Sequence, residues 1–221
     1  MTSLRVLIGC EESGVVRRAF AALGHDAWSC DLKPAADGSN RHIVGDVREV
    51  MLWGWDLLAV FHPPCTRLCN SGVRWLHTPP PDKTADQMQT ELAEGAALFS
   101  AVWNAPIERV AVENPVMHKH AKALITGYQP PAQTVQPWWF GDPAFKAIGL
   151  YLRGLPLLVP TNRLAPPKPG TPEHKAWSAI HRASPGPLRA TIRSRTFPGI
   201  ASAMAMQWGG AAMIAQKAGN G

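Results

Sequence analysis

Two residues in this chain, each at the end of an apolar run, are equipped for covalent chemistry on a ring. The first is a thiol in a proline-rich turn, Phe61-His62-Pro63-Pro64-Cys65, which follows Asp56-Leu57-Leu58-Ala59-Val60. The second is a carboxylate, because Val110-Ala111-Val112 runs straight into Glu113-Asn114-Pro115. A thiolate is a strong nucleophile toward an electron-poor carbon. A carboxylate facing it can hold a ring nitrogen or amine while charge moves through the ring.

Such groups need a frame, and the hydrophobic pattern supplies one. Residues 4–9 read as a short buried strand. Residues 14–23 carry Val15, Val16, Ala19, Phe20 and Leu23 at helical spacing, and Gly24 is a natural stop. A second strand over 26–30 ends at Asp31, and a brief third over 42–44 precedes Gly45-Asp46. The thiol strand spans 55–61. A long helix over about 83–103 carries Met88, Leu92, Ala96 and Phe99 on one face, and the carboxylate strand covers 109–113. Alternating strands and helices predict an α/β domain with a parallel sheet. Past residue 129 prolines recur, with a strand over 147–152, mostly irregular chain over 156–195, and a small-residue helix over 199–207. The expected organisation is a core over 1–155, a loop-rich segment over 156–195, and a returning helix over 196–221.

The first strand empties into Gly9-Cys10-Glu11-Glu12-Ser13-Gly14, which opens the first helix. Glycines allow a tight turn and close approach of a ligand, and a helix N-terminus offers N–H groups to a carboxylate. Asp31, at the end of the second strand, can accept from ribose hydroxyls. Asp46, after the third, can accept from an adenine amine. Each acid taken alone also reads as a turn or helix cap. Together with the glycine loop they favour an adenosine-containing cofactor. The loop lacks a following lysine, which disfavours ATP.

The chain has 221 residues, 46% of them hydrophobic, enough for one domain with a real core. It holds no run of roughly 20 apolar residues and no secretory pattern. Four cysteines, at 10, 30, 65 and 69, do not resemble a disulfide framework, so a reducing cytoplasm is expected. Cys10 and Cys30 read as small packing residues. Cys65 and Cys69 have the wrong spacing for a zinc knuckle, and no metal is expected. Trp53, Trp55, Trp103 and Trp208 read as core, and His118 and His120 as exposed loop residues. Trp75, after Arg74, and the pair Trp138-Trp139 read either as buried or as surfaces for a base. The net charge is +6 with a pI near 9.4, and Arg182, Arg189, Arg193 and Arg195 crowd the last quarter. They form either a solvated face or a phosphate-binding one.

In this order, these pieces resemble the DNA cytosine-5 methyltransferases, most closely their short phage-type members. The resemblance is carried by residues 9–14, Asp31, Asp46, Pro63-Pro64-Cys65, Glu113-Asn114-Pro115 and the late Thr196-Phe197-Pro198-Gly199-Ile200-Ala201. It implies a Rossmann-like S-adenosylmethionine-dependent methyltransferase fold, with a mostly parallel sheet and a small loop-rich late lobe. It implies S-adenosylmethionine held by Gly9, Cys10, Glu11, Glu12, Ser13, Gly14, Asp31, Asp46 and Pro64. Cys65 would add to C6 of a flipped cytosine, Glu113 would contact N3 and the exocyclic amine, and Lys146 would support O2. Arg74, Arg189, Arg193 and Arg195 would contact DNA. The expected setting is the cytoplasm of a bacterium or phage-infected cell. The region left for target recognition is short, which keeps two alternatives open. One is C5 modification of a free nucleotide or single-stranded nucleic acid; the other is a catalytically silent DNA-binding relative.

Overall fold

The computed structural model describes residues 3–60, 63, 66–184, 193 and 196–210. Its strands are β1 (Arg5–Gly9), β2 (Asp26–Asp31), β3 (His42–Val44), β4 (Leu57–Val60), β5 (Arg109–Asn114), β6 (Gln133–Val135) and β7 (Ile148–Arg153). They form one seven-stranded sheet in the order β3-β2-β1-β4-β5-β7-β6. The pairings β1–β2, β1–β4, β2–β3 and β4–β5 are parallel, whereas β7 runs antiparallel to both β5 and β6. The sheet is therefore mostly parallel, as expected.

The helices are α1 (Val15–Ala22), α2 (Val47–Val50), α3 (Ala85–Trp103), α4 (Lys119–Leu124), α5 (Pro172–Trp177), α6 (Ala179–Arg182) and α7 (Pro198–Gly209). Thr84 and Gln87 form a reciprocal capping box that starts α3. Gly24, with φ +84°, takes the left-handed turn that follows α1. A three-ten helix, Asn70–Leu76, follows the thiol loop.

Strands buried on both faces read as continuous apolar runs, and β4 and β5 are buried at every position. The period of two then sorts their side chains into two cores. Val6, Ile8, Leu57, Ala59, Ala111 and Leu150 pack with Val16 and Phe20 of α1 and with Ile200, Met204 and Trp208 of α7. On the other face Leu7, Leu58, Val60, Val110, Val112 and Tyr151 pack with Met88, Leu92 and Phe99 of α3. Among the described residues no helix is long and apolar enough to cross a membrane.

Several features depart from the sequence reading, the short helices α2 and α4 and the three-ten helix among them. β6 was not expected at all. Segment 156–195, read as mostly irregular, contains α5 and α6. Trp53 is 55% exposed rather than core, because it sits in the turn after α2 and before Gly54, whose φ is +79°. Trp55 and Trp208 are buried, and Trp103 is half-buried against the α3 core. His118 is buried and caps α4 instead of lying in an exposed loop. His120 is exposed.

Phe20 is fully buried between the sheet, α1 and α7. Phe20→Ala should cost roughly 3–5 kcal/mol of stability, read as a lower midpoint in chemical denaturation. A loss below about 1 kcal/mol would show that this core can collapse around the gap.

Candidate functional site

In an open α/β sheet ligands bind outside the carboxyl ends of the strands, at the point where the strand order reverses. Here that point lies between β1 and β4. Gly9 pairs with Cys30 on one side and Val60 on the other, and Val60 pairs in turn with Val112. The loop 9–14, Asp31, the end of β4 and Glu113 therefore lie along one edge of the sheet.

The loop 9–14 is tightly built. A Cβ at Gly9 would come within 2.7 Å of the Val47 side chain, so α2 packs directly over this strand end. Cys10 and Gly14 both adopt positive φ, 55° and 66°. The Glu11 carboxylate is 2% exposed and accepts from Val16 N at 2.7 Å and Arg17 N at 3.2 Å. The N–H groups expected to be free for a ligand are thus taken by the chain's own acid. Burial pushes the Glu11 carboxyl up, and the Val16, Arg17 and Ser13 hydrogen bonds oppose that shift.

Arg17 is buried and holds the loop after β2 in place. It donates to Ser29 Oγ at 3.1 Å, Ser39 Oγ at 2.7 Å and Asp37 Oδ2 at 2.5 Å. Asp37 also pairs with Arg18. Burial works against the Asp37 charge, but Arg18 and Arg17 outweigh it and hold its carboxyl below the usual range. Ala36 N donates to Glu12 O at 2.8 Å, and the Glu12 carboxylate pairs with Lys33 at 3.0 Å.

Asp31 is half-buried, and its Oδ1 accepts from Lys33 N at 3.0 Å. Asp46 caps α2 through Arg48 N at 2.8 Å and forks with the Arg48 guanidinium, which holds its carboxyl low. Cys10 sits among these groups. Burial, then Asp31, Cys30 and Asp46, push its thiol up to about 12. It is a protonated packing group at neutral pH and not a nucleophile.

Beyond β4, Pro63 is buried, while Phe61, His62, Pro64 and Cys65 lie outside the described residues. From Thr66 onward the chain is gripped from two sides. Arg67 Nε donates to Glu91 Oε2 of α3 at 2.6 Å, and Lys83 pairs with the same carboxylate. Arg67 O faces His118 Nε2 at 2.6 Å, while His118 Nδ1 accepts from Ala121 N at 3.1 Å. Those two contacts assign the His118 proton to Nε2. His118 N donates to Leu68 O and Asn70 N to Val116 O, each at 3.0 Å, with an antiparallel bridge between Cys69 and Met117. A short ladder thus ties the loop after β4 to the loop after β5. A Cβ at Gly72 would lie 1.9 Å from Thr66 O, so only glycine lets the three-ten helix fold back there. Arg74 is exposed, its guanidinium 4.2 Å from the Trp75 ring centre.

Glu113 is 3% exposed on β5 and pairs in register with Leu150. By strand alternation it shares the α1–α7 face with Ala111, whereas Asn114 faces the α3 side. Because β7 is antiparallel, residues 136–147 enter the sheet at the same edge that β5 leaves. Lys146 is therefore brought to that edge, its Nζ 6.0 Å from the Phe197 ring. Gly199 N donates to Asp142 Oδ2 at 2.8 Å, which brings the start of α7 there too. Arg193 is exposed, and Arg189 and Arg195 lie outside the described residues. Among the described residues no cluster of His, Cys, Asp and Glu is placed to hold a metal ion.

Glu91, Arg67 and His118 were missed from sequence. Glu91 lies on a long helix and gives no local signal, and His118 becomes legible only as a cap once α4 is known.

No family model and no curated protein matches the chain. One similar solved structure is described as a candidate DNA modification methyltransferase encoded within an E. coli prophage. It shares 16% identity with a TM-score of 0.47, over 73% of this chain and 52% of that one. The chain thus spans about half the length of that structure.

The Glu91 grip makes a pH prediction. Hydrogen bonds from Lys83 and Arg67 hold the Glu91 carboxyl below its usual range. A depressed acid stabilises above its unfolded value, near 4.3, and loses that stabilisation as pH falls through its folded value. Glu91→Gln should cost on the order of 1 kcal/mol at neutral pH, since the pair is partly exposed. The gap from wild type should close below about pH 4 in acid-dependent denaturation. A gap independent of pH would assign the loss to packing.

Proposed function

We propose that this protein is an S-adenosylmethionine-dependent DNA cytosine-5 methyltransferase acting through a covalent Cys65 adduct. The observation that carries the reading is the parallel register of β1, β4 and β5. In support of it, the glycine loop, the end of β4 from which the chain runs on toward Cys65, and buried Glu113 all lie along one edge, beside the switch point.

The residues at this edge fit an adenosine-bearing methyl donor. Asp31 is a half-buried carboxylate at the end of β2, suited to ribose hydroxyls. Gly9, Cys10, Glu12, Ser13 and Gly14 form the turn beside it, with Asp46 nearby, and Pro64 is assigned to the donor from the sequence resemblance alone. Glu11 contributes by filling the start of α1, so the donor's own carboxylate would not sit on the Val16 and Arg17 amides. When bound, the donor supplies an electrophilic methyl group.

The chain's own residues would do the rest. The Cys65 thiolate adds to C6 of a flipped cytosine, forming a C–S bond and making C5 nucleophilic. Glu113 binds N3 and the exocyclic amine, stabilising the charge that develops there. Buried in the sheet edge, it is preorganised and needs little reorientation. Lys146 approaches O2. After methylation C5 loses its proton to a base, the C5–C6 double bond reforms and the thiolate leaves. Arg74, Arg189, Arg193 and Arg195 are assigned to phosphates, giving salt-dependent affinity.

The test is trapping on duplex DNA containing 5-fluorocytosine in the presence of the methyl donor. Wild type should form a complex that survives denaturing electrophoresis, and Cys65→Ser should form none while binding the cofactor almost normally. Glu113→Gln should lower turnover by roughly 10²–10⁴-fold. No trapped complex with wild type, or full turnover by Cys65→Ser, would end this reading.

For the cofactor half, Asp31→Ala should weaken S-adenosylmethionine binding by roughly 1.5–3 kcal/mol per lost charge-assisted hydrogen bond, measured by calorimetry. Unchanged affinity would remove Asp31 from the site.

A further inference from the structure

A second set of aromatic and cationic groups stands at the reacting edge, on the connection from β6 to β7. Residues 136–147 carry Trp138 and Trp139, whose rings meet edge to face at 5.8 Å. Both are half-buried. Arg163, from the loop-rich segment, lies with its guanidinium carbon 4.9 Å from the Trp139 ring centre and 5.7 Å from that of Trp138.

The arrangement is built into the fold. Leu164 N donates to Trp138 O at 2.8 Å and Asn162 N to Trp139 O at 3.2 Å, so residues 162–164 are strapped by backbone to 138–139. Farther along, Phe145 N donates to Trp177 O at 2.9 Å, and the Phe145 ring packs 5.3 Å from Trp177 and 5.1 Å from His174. Residues 162–164 and 174–177 of the loop-rich segment are thereby tied to the β6–β7 connection, which enters the sheet at the edge where β5 ends.

Its charge is one-sided. Residues 156–184 hold Arg163, Lys168, Lys175 and Arg182 against the single acid Glu173. Arg163 is exposed and joins no ion pair among the described residues. A guanidinium on an indole, with no carboxylate paired to it among the described residues, presents a flat, positive, π-rich surface. Such a surface suits the face of a nucleobase together with the phosphate beside it. The face of a base is covered inside a duplex, so the match is to bases that are not stacked.

We propose that Trp138, Trp139 and Arg163 form a stacking platform for unpaired DNA bases next to the reacting edge. This rests on the reading of that edge as a DNA-modifying site. The platform takes bases without regard to sequence, because every base has a π-face. It would hold the strand on either side of an extruded base, or a single-stranded substrate along its length.

Fluorescence anisotropy with a labelled single-stranded oligonucleotide of mixed sequence, without methyl donor and across a salt series, tests it. Trp138→Ala should weaken binding roughly tenfold while leaving the salt slope unchanged, since lost stacking releases no counterions. Trp138→Phe should stay within about threefold of wild type. Arg163→Gln, at an exposed position that leaves folding intact, should weaken binding and flatten the salt slope. A fully paired duplex of the same sequence should be insensitive to Trp138→Ala.

Wild-type affinity in both Trp138→Ala and Arg163→Gln would overturn the platform, as would an equal loss on the paired duplex. If Trp138→Ala does not fold, Arg163→Gln decides alone. The outcome is separable from the trapping experiment. Trp138-dependent binding without a trapped complex would sink the methyltransferase reading alone. Trapping with no Trp138 or Arg163 dependence of single-strand binding would sink the platform alone.

Discussion

Parallel pairing is the constraint on which the rest of this molecule depends. Strands that run the same way end on the same edge, so whatever follows β1, β2, β4 and β5 is delivered to one place. Where the order turns from β1 to β4, the connecting chains part to opposite faces and leave a crevice. The glycine loop lies on one side of it and the thiol and glutamate strands on the other. The one reversed strand matters as much. Antiparallel β7 begins where its neighbours end, which adds the β6–β7 connection, with Lys146 and the tryptophan pair, to the same edge.

Loops at such an edge need anchoring, since the ladder stops there. The anchors are polar and partly or wholly buried. Arg17 fastens the chain after β2, Glu91 and His118 hold the two ends of Arg67, and the ladder around Cys69 and Met117 joins the loops after β4 and β5. Each is costly to desolvate and so must be fully partnered. Glu11 follows the same logic. A buried carboxylate persists because two helix amides meet it, and in doing so it closes a slot that a ligand would otherwise use.

Much of this frame was legible from local pattern. The apolar runs at β1, β4 and β5 and the helical spacing of α1 and α3 marked their elements, because each buries a regular face. β6 escaped notice because three residues, one of them exposed Thr134, carry too little periodicity between prolines. α2 and α4 are short and owe their existence to Asp46 and His118 as caps, which composition does not reveal. Trp53 and Trp55 look alike in sequence, yet a left-handed Gly54 between them sends one to solvent and one to the core.

By itself the sequence determined the α/β class, the order of the longer strands and helices, the placement of Asp31, Asp46 and Glu113 at or just after strand ends, and the basic excess of the late chain. These follow from local periodicity and residue chemistry. Only the tertiary structure decided which strand ends are neighbours, that His118 and Glu91 tether the loop after β4, and that Arg163 lies on Trp138 and Trp139. Those facts join residues tens of positions apart. They are set by strand order and by the need of each buried polar group to find a partner, and neither is written in any local stretch of chain.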